Sequence, residues 1–166
     1  IARRLAGSKF NAPHFYVTME IRMDNVIEAR KHINAVAPVK VSFNDLVIKA
    51  VAMSIRRHPD INASWLEDKI RYNDHIHIGM AVAVPDGLFV PVVRFADTLS
   101  VSQVAMTTKE LVAKTKDKKL QPSDWEGSTF SVSNLGMFGV EDFTAIINPP
   151  DACILAVGGI KQTAVV

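Results

Sequence analysis

Cysteine is nearly missing from this chain: Cys153 stands alone among 166 residues. A single cysteine excludes an internal disulfide, so a reducing compartment is the simpler setting. Its apolar neighbours give it the character of a small buried hydrophobe and not of a catalytic thiol. Long hydrophobic runs are also missing, since stretches such as 79–84 and 154–157 fall far short of the roughly 20 residues of a membrane helix. No charge of one sign dominates, because 19 Lys and Arg stand against 17 Asp and Glu. The resulting formal charge of +2 is too weak to argue for a nucleic-acid partner. The lysines between 109 and 119 are interrupted by Glu110 and Asp117 and read as a solvated helix face. Nor is there a Gly-x-Ser-x-Gly elbow, a phosphate loop ending in Gly-Lys-Ser/Thr, or a dinucleotide glycine triplet. None of the 5 histidines has metal-site spacing. His75 and His77 share a face if they lie on a strand, but no third ligand is adjacent. These absences exclude several common enzymes and name none.

What the chain does have is 48% hydrophobic residues, enough for one domain with a sizeable core. Residues 1–9 read as the end of a helix, and Pro13 separates it from 15–23, whose β-branched and aromatic residues predict a strand. Asp24 offers an N-cap for a helix running to Pro38, with Val26, Ile27, Ile33 and Val36 at helical spacing. Ser42 and Asp45 resemble a capping box, opening a nearly all-apolar and therefore buried helix that stops at His58-Pro59. From residue 76 the pattern becomes a hairpin: strand 76–84, a Pro85-Asp86-Gly87 turn, and strand 88–95. Pro91 lacks an amide donor and requires an edge position or a bulge. Ser100 or Ser102 caps a further helix with Val104, Thr108, Leu111 and Val112 inward, extending towards Lys119. A strand over 129–132, a turn over 136–139 and a buried strand over 152–157 complete a mixed sheet.

The stretch with most chemical content is Gly127-Ser128-Thr129-Phe130-Ser131-Val132-Ser133-Asn134-Leu135-Gly136-Met137-Phe138-Gly139, followed by Phe143-Thr144-Ala145-Ile146-Ile147-Asn148-Pro149-Pro150. A strand ending in Ser133-Asn134 before a glycine-bounded turn projects two small polar side chains where backbone can approach a ligand. The competing reading is a Ser/Asn turn that only closes a strand.

Together with Ala12-Pro13-His14-Phe15, Pro59-Asp60-Ile61-Asn62-Ala63, Asp86-Gly87-Leu88-Phe89-Val90-Pro91-Val92 and Ala152-Cys153-Ile154-Leu155-Ala156-Val157-Gly158, this stretch resembles the catalytic domain of the dihydrolipoamide acyltransferases. The match runs through essentially the whole chain in one order. Leu135-Gly136-Met137-Phe138-Gly139 and Ile147-Asn148-Pro149-Pro150 look more like the pyruvate dehydrogenase branch than the branched-chain one. The resemblance implies an α/β fold of the chloramphenicol acetyltransferase type, a two-layer sandwich of a mixed sheet with flanking helices. It implies homotrimers with active sites in channels between subunits, built into a larger cage. The implied activity is acetyl transfer between coenzyme A and a lipoyl group carried on a separate lipoyl domain, served by the dehydrogenase components of the complex. Neither nucleic acid nor membrane is an implied partner, and the implied setting is a bacterial cytoplasm or a mitochondrial matrix.

By the same resemblance, Ser133 is the catalytic hydroxyl that stabilises the oxyanion. Arg30, Ser42, Ser133, Asn134, Gly158 and Ile160 are the coenzyme A contacts. A guanidinium fork suits phosphate oxygens, although Arg30 also reads as a solvated helix charge. Ser42 has the rival role of helix cap, and Gly158 and Ile160 that of a strand end. Such enzymes take their general base from a His-x-x-x-Asp-Gly motif. None is present here, because Thr18, Val36, Asn62, Gly79 and Ala81 stand four residues after the histidines. The expectation is a single catalytic core domain over residues 1–166, truncated at its C-terminus before that motif. A non-catalytic assembly or partner-binding core protein of the same fold is the alternative.

Overall fold

A computed structural model describes residues 2–66, 68–85 and 87–164. Helix α1 (Ala2–Asn11) stops before Pro13, but the strand expected over 15–23 does not form. That segment takes part in no ladder, and Phe15, Val17, Met19 and Ile21 are 73–87% exposed. β-branched residues favour a pleat, yet a strand exists only where another segment takes up its amides and carbonyls, and no described segment pairs with this one. Helix α2 (Asp24–Val36) begins one residue earlier than expected, with Met23 at the N-cap and no side-chain cap. Its apolar positions repeat at helical spacing, but none of its residues is buried.

Helix α3 (Phe43–Arg57) opens with the expected capping box: Ser42 Oγ accepts from the Asp45 amide at 3.1 Å, and Asp45 Oδ2 accepts from the Ser42 amide at 2.7 Å. The helix is not buried all round. Ile48, Ala52 and Ile55 form the inward stripe, while Met53 faces solvent. After a 3-10 turn at Pro59–Ile61, strands β1 (Ala63–Leu66) and β2 (Lys69–Tyr72) form a small hairpin that the sequence pattern did not reveal.

The expected hairpin after residue 76 forms in two pieces, β3 (Ile78–Met80) with β6 (Val92–Val93) and β4 (Val82–Val84) with β5 (Gly87–Phe89). The pairs Gly79↔Val92 and Val82↔Phe89 belong to one register, so there is no bulge. The ladder breaks at Pro91, which has no amide to donate and only accepts, from the Met80 amide at 2.8 Å. Asp86 in the expected turn lies outside the described residues, as does Ile1 at the start of the first helix. Ser100, not Ser102, caps helix α4 (Val101–Lys116) in a second capping box with Gln103. A short helix α5 (Pro122–Trp125) then leads to β7 (Phe130–Asn134) and β8 (Ile154–Val157).

The main sheet has the order β6-β3-β7-β8, with β6 antiparallel to β3 and the other neighbours parallel. This is the mixed sheet expected, and Pro91 enters it at the edge strand. Strand β8 is the opposite edge and only half-buried, so its apolar run signals a less protected place than expected. Helices α3 and α4 supply Ile48, Ala52, Ile55, Val104 and Leu111 to a core shared with Ile78, Met80, Val93, Phe130 and Val132 of the sheet. Cys153 is half-buried and packs against this cluster, and burial pushes its thiol pKa up.

Candidate active site

Strand β7 ends in Ser133 and Asn134, and side chains alternate across a strand, so the two leave on opposite faces of the sheet. Phe130, Val132 and Asn134 share the helix-covered face, while Ser131 and Ser133 share the other. Asn134 therefore meets helix α3: its Nδ2 donates to Asn44 Oδ1 at 3.3 Å, and its Oδ1 accepts from the Gly136 amide at 3.0 Å. Asn44 Nδ2 in turn donates to Met80 Sδ at 3.2 Å. Ser133 Oγ is half-buried and has no hydrogen-bond partner among the described residues. A turn-closing serine spends its hydroxyl on nearby backbone.

Arg30 and Ser42 meet at the start of α3. The Arg30 Nε donates to the carbonyl of Val41 at 2.8 Å, and its guanidinium lies over the Phe43 ring, 4.5 Å from the centroid. Among the described residues the terminal nitrogens of Arg30 have no partner, so a fixed, half-buried fork is left for an anion. The donor set fits a phosphate group. Ser42 is exposed, but its hydroxyl proton already goes to Asp45 Oδ2 at 2.7 Å. It can only accept from a ligand, a narrower role than a free hydroxyl would have.

Gly158 and Ile160 follow β8 beside the turn after β7, where the Leu135 amide donates to the Val157 carbonyl at 3.1 Å. A Cβ on Gly136 would lie 2.5 Å from the Gly158 carbonyl oxygen, and one on Gly158 only 1.9 Å from that of Glu141. These glycines let backbone approach backbone closely. Ile160 stands half out of the surface beyond them. The fold thus brings Arg30, Ser42 and Asn134 to the first turn of α3 and sets Gly158 beside Gly136, while Ser133 opens on the other side of β7.

Three of the 5 histidines are engaged in bonds away from Ser133. His14 Nδ1 lies 2.7 Å from the Ala12 carbonyl, and its Nε2 accepts from the Ile147 amide at 3.2 Å, which uses both ring nitrogens. His77 is buried before the far end of β7 and accepts from the Phe95 amide through Nδ1 at 3.0 Å. Burial is the largest cause of its lowered pKa. His32 pairs with Glu28 on the exposed face of α2.

Against known proteins, residues 1–166 match the family of 2-oxoacid dehydrogenases acyltransferase (catalytic domain). The chain belongs to this acyltransferase family. It is 47% identical, over 99% of its length, to the dihydrolipoyllysine-residue acetyltransferase component of a mitochondrial pyruvate dehydrogenase complex from Schizosaccharomyces pombe, of which it covers 35%. It superposes with a TM-score of 0.95 on the dihydrolipoamide acetyltransferase of Azotobacter vinelandii, at 34% identity, covering 99% of this chain and 70% of that one. The same figures relate it to a structure of the cubic core of a pyruvate dehydrogenase multienzyme complex. The chain spans between about a third and two fifths of the length of the curated relatives it matches first.

Within this acyltransferase fold, two residues escaped the sequence reading. Asn44 bridges β7 to α3, and the only signal for it was its place in the first turn after a cap. Asp151 is 5% exposed and accepts from Ser128 Oγ at 2.9 Å and from Ser131 Oγ. Desolvation by burial raises its pKa to about 6, against the opposing effect of the two hydroxyls and Arg4. This carboxylate, which follows Pro149-Pro150, had no role in the sequence reading.

Proposed function

We propose that this acyltransferase domain transfers an acetyl group between coenzyme A and a dihydrolipoyl thiol, as part of the core of a pyruvate dehydrogenase complex. The observation that carries the proposal is the unpartnered hydroxyl of Ser133 at the end of β7. In the transfer, a base removes the proton of the coenzyme A thiol, because a thiol with a pKa of about 8.5 is mostly protonated at neutral pH. The thiolate attacks the carbonyl carbon of the acetyl-dihydrolipoyl thioester. Ser133 donates its hydroxyl hydrogen bond to the resulting oxyanion, and collapse expels the dihydrolipoyl thiolate, which regains a proton from the protonated base. Ser133 is a stabiliser and not the nucleophile.

The remaining site residues follow from the same reading. Arg30 holds a phosphate of coenzyme A through its two free terminal nitrogens, with Ser42 beside it as an acceptor. Asn134, Gly158 and Ile160 line the path towards the thiol. The base comes from a His-x-x-x-Asp-Gly motif of a neighbouring subunit, which agrees with the engagement of His14 and His77 in other bonds. The domain forms trimers within a larger cage, and lipoyl domains and dehydrogenase components are its partners. The exposed apolar positions of 15–21 support burial in such an assembly. The relatives support a mitochondrial matrix or a bacterial cytoplasm as the setting.

The test is steady-state acetyl transfer by the full-length protein and its Ser133→Ala variant. The expected result is a kcat lowered roughly a hundredfold or more with little change in KM. An unchanged kcat with a lowered melting temperature returns Ser133 to a structural role. A full-length parent that transfers nothing points to a non-catalytic core protein.

A further inference from the structure

Asp151 is the most deeply placed carboxylate on the Ser133 side of the sheet, and no ion pair neutralises it among the described contacts. Its surroundings are built rather than incidental. Ser128 Oγ and Ser131 Oγ donate to its two oxygens, one from the residues before β7 and one from within it. Its own amide donates to the Asn148 carbonyl at 3.0 Å, which closes the turn that leads into β8. The carboxylate therefore ties β7 to the chain entering β8 at the point where the parallel pairing Ser131↔Ile154 begins. Two residues further on, the same register sets Ser133 opposite Ala156.

Ser131 and Ser133 project from one face of β7, and the other face is pinned by Phe130 and Val132 in the core. The core contacts fix which face is inward and the ladders to β3 and β8 fix the strand's place in the sheet, so what the outward side chains can still take from their surroundings is the direction of their hydroxyls. On that face the hold at residue 131 is the carboxylate. We propose that Asp151, in its ionised form, is a positioning residue for acetyl transfer: by holding the Ser131 and Ser128 hydroxyls it sets the direction in which the Ser133 hydroxyl points. The inference rests on the function proposed for Ser133.

Protonation converts the carboxylate from a pure acceptor into a group that must also place a hydrogen, which weakens its hold on the two hydroxyls that donate to it. The change falls at a pH of about 6, within reach of ordinary assays. The charged and titratable groups that act on Asp151 are Arg4 of α1, which donates to the Pro149 carbonyl, and Cys153 at the entrance to β8. Arg71, Asp74 and His75 line an open cleft that Ser128 and Pro150 share. Asp151→Asn removes the carboxylate charge that Arg4 and Cys153 feel and leaves the side chains of the cleft in place.

The experiment compares full-length parent and Asp151→Asn in acetyl transfer from pH 5.5 to pH 8. At pH 7.5 the expected kcat of the variant is about tenfold below the parent, with KM for both substrates within about twofold, as for an interaction expressed in the transition state. The ratio of the two kcat values should approach one as the pH falls through about 6, because the parent then becomes the neutral form that the asparagine imitates. Titration of the general base cancels in that ratio. Ser131→Ala, a small change with the carboxylate left in place, should lower kcat in the same direction. A ratio near one at pH 7.5, a ratio independent of pH, or an unaffected Ser131→Ala variant overturns the proposal. An inactive parent instead defeats the function assigned to Ser133, so the two failures are distinguishable.

Discussion

Asn134 and Asn44 face each other at 3.3 Å, the amide of the first donating to the carbonyl oxygen of the second, and this contact joins the end of β7 to the first turn of α3. Among the described residues it is the one side-chain bond that links the strand carrying Ser133 to the helix whose cap neighbours Arg30. Asn44→Ala leaves the Asn134 amide without this acceptor, a loss of order 1 kcal/mol or more, and kcat/KM should fall about tenfold. Asn44→Asp keeps an acceptor oxygen and should recover most of the rate. Equal losses in the two variants would mean that the bond itself is unimportant.

Arg30 is held by Val41 and Phe43 in a way a lysine cannot copy, because an ammonium lacks the planar fork and the Nε that bonds the carbonyl. Arg30→Lys should therefore raise KM for coenzyme A roughly tenfold and leave KM for dihydrolipoamide unchanged. Steady-state titration of each substrate checks this, and equal changes in both constants would separate Arg30 from the phosphate end.

Stability should carry the mark of two buried groups with opposite signs. The pKa of Asp151 is raised from 3.8 to about 6, so the folded state binds its proton more tightly than the unfolded state. That contribution is fully present below 3.8 and is lost as the pH rises through about 6, a swing of about 3 kcal/mol. The pKa of His77 is lowered from 6.5, so its contribution is present above 6.5 and is lost as the pH falls below it. Asp151→Asn removes only the first. Its melting temperature should gain on the parent between pH 4 and pH 7.5; parallel curves would contradict the burial of this carboxylate. A variant that is more stable at neutral pH and yet slower would be a direct sign that Asp151 serves the site and not the fold.

The two glycines bordering the turn after β7 should respond differently to alanine. At Gly158 a Cβ would sit 1.9 Å from a backbone oxygen that cannot move without displacing residue 141, so Gly158→Ala should cost about 3 kcal/mol or more. At Gly139 nothing lies within 4 Å, and the cost is confined to a φ of +77°, about 1 kcal/mol. Chemical denaturation of both variants orders them, and a milder effect at Gly158 would contradict the close packing of 158 on 141.

Much of the fold was written in local pattern. The caps at Ser42 and Ser100 and the stops at Pro13 and His58-Pro59 depend on neighbours in the chain, so they could be read residue by residue. Even the break in the hairpin followed from one atom, the amide hydrogen that Pro91 lacks. The family was legible for a different reason: the order of several quoted segments, above all the one ending in Ser133-Asn134, matched a known catalytic domain. Local pattern misled where an element needs a partner. Residues 15–23 have strand chemistry but no described strand beside them, and the apolar positions of α2 are at best half-buried.

The amino-acid sequence alone determined most of the helix limits, the mixed sheet and the family, because each rests on short-range chemistry or on linear order. Only the tertiary structure decided that Arg30, Ser42 and Asn134 converge on one helix start while Ser133 opens on the opposite face of β7. It alone showed that the Ser42 proton is already spent and that Asp151 is buried against Ser128 and Ser131. These facts depend on strand register and on contacts between residues as much as 90 positions apart in the chain, as for Asn44 and Asn134. No local preference encodes such distances; they arise when helices and sheet close on a shared core.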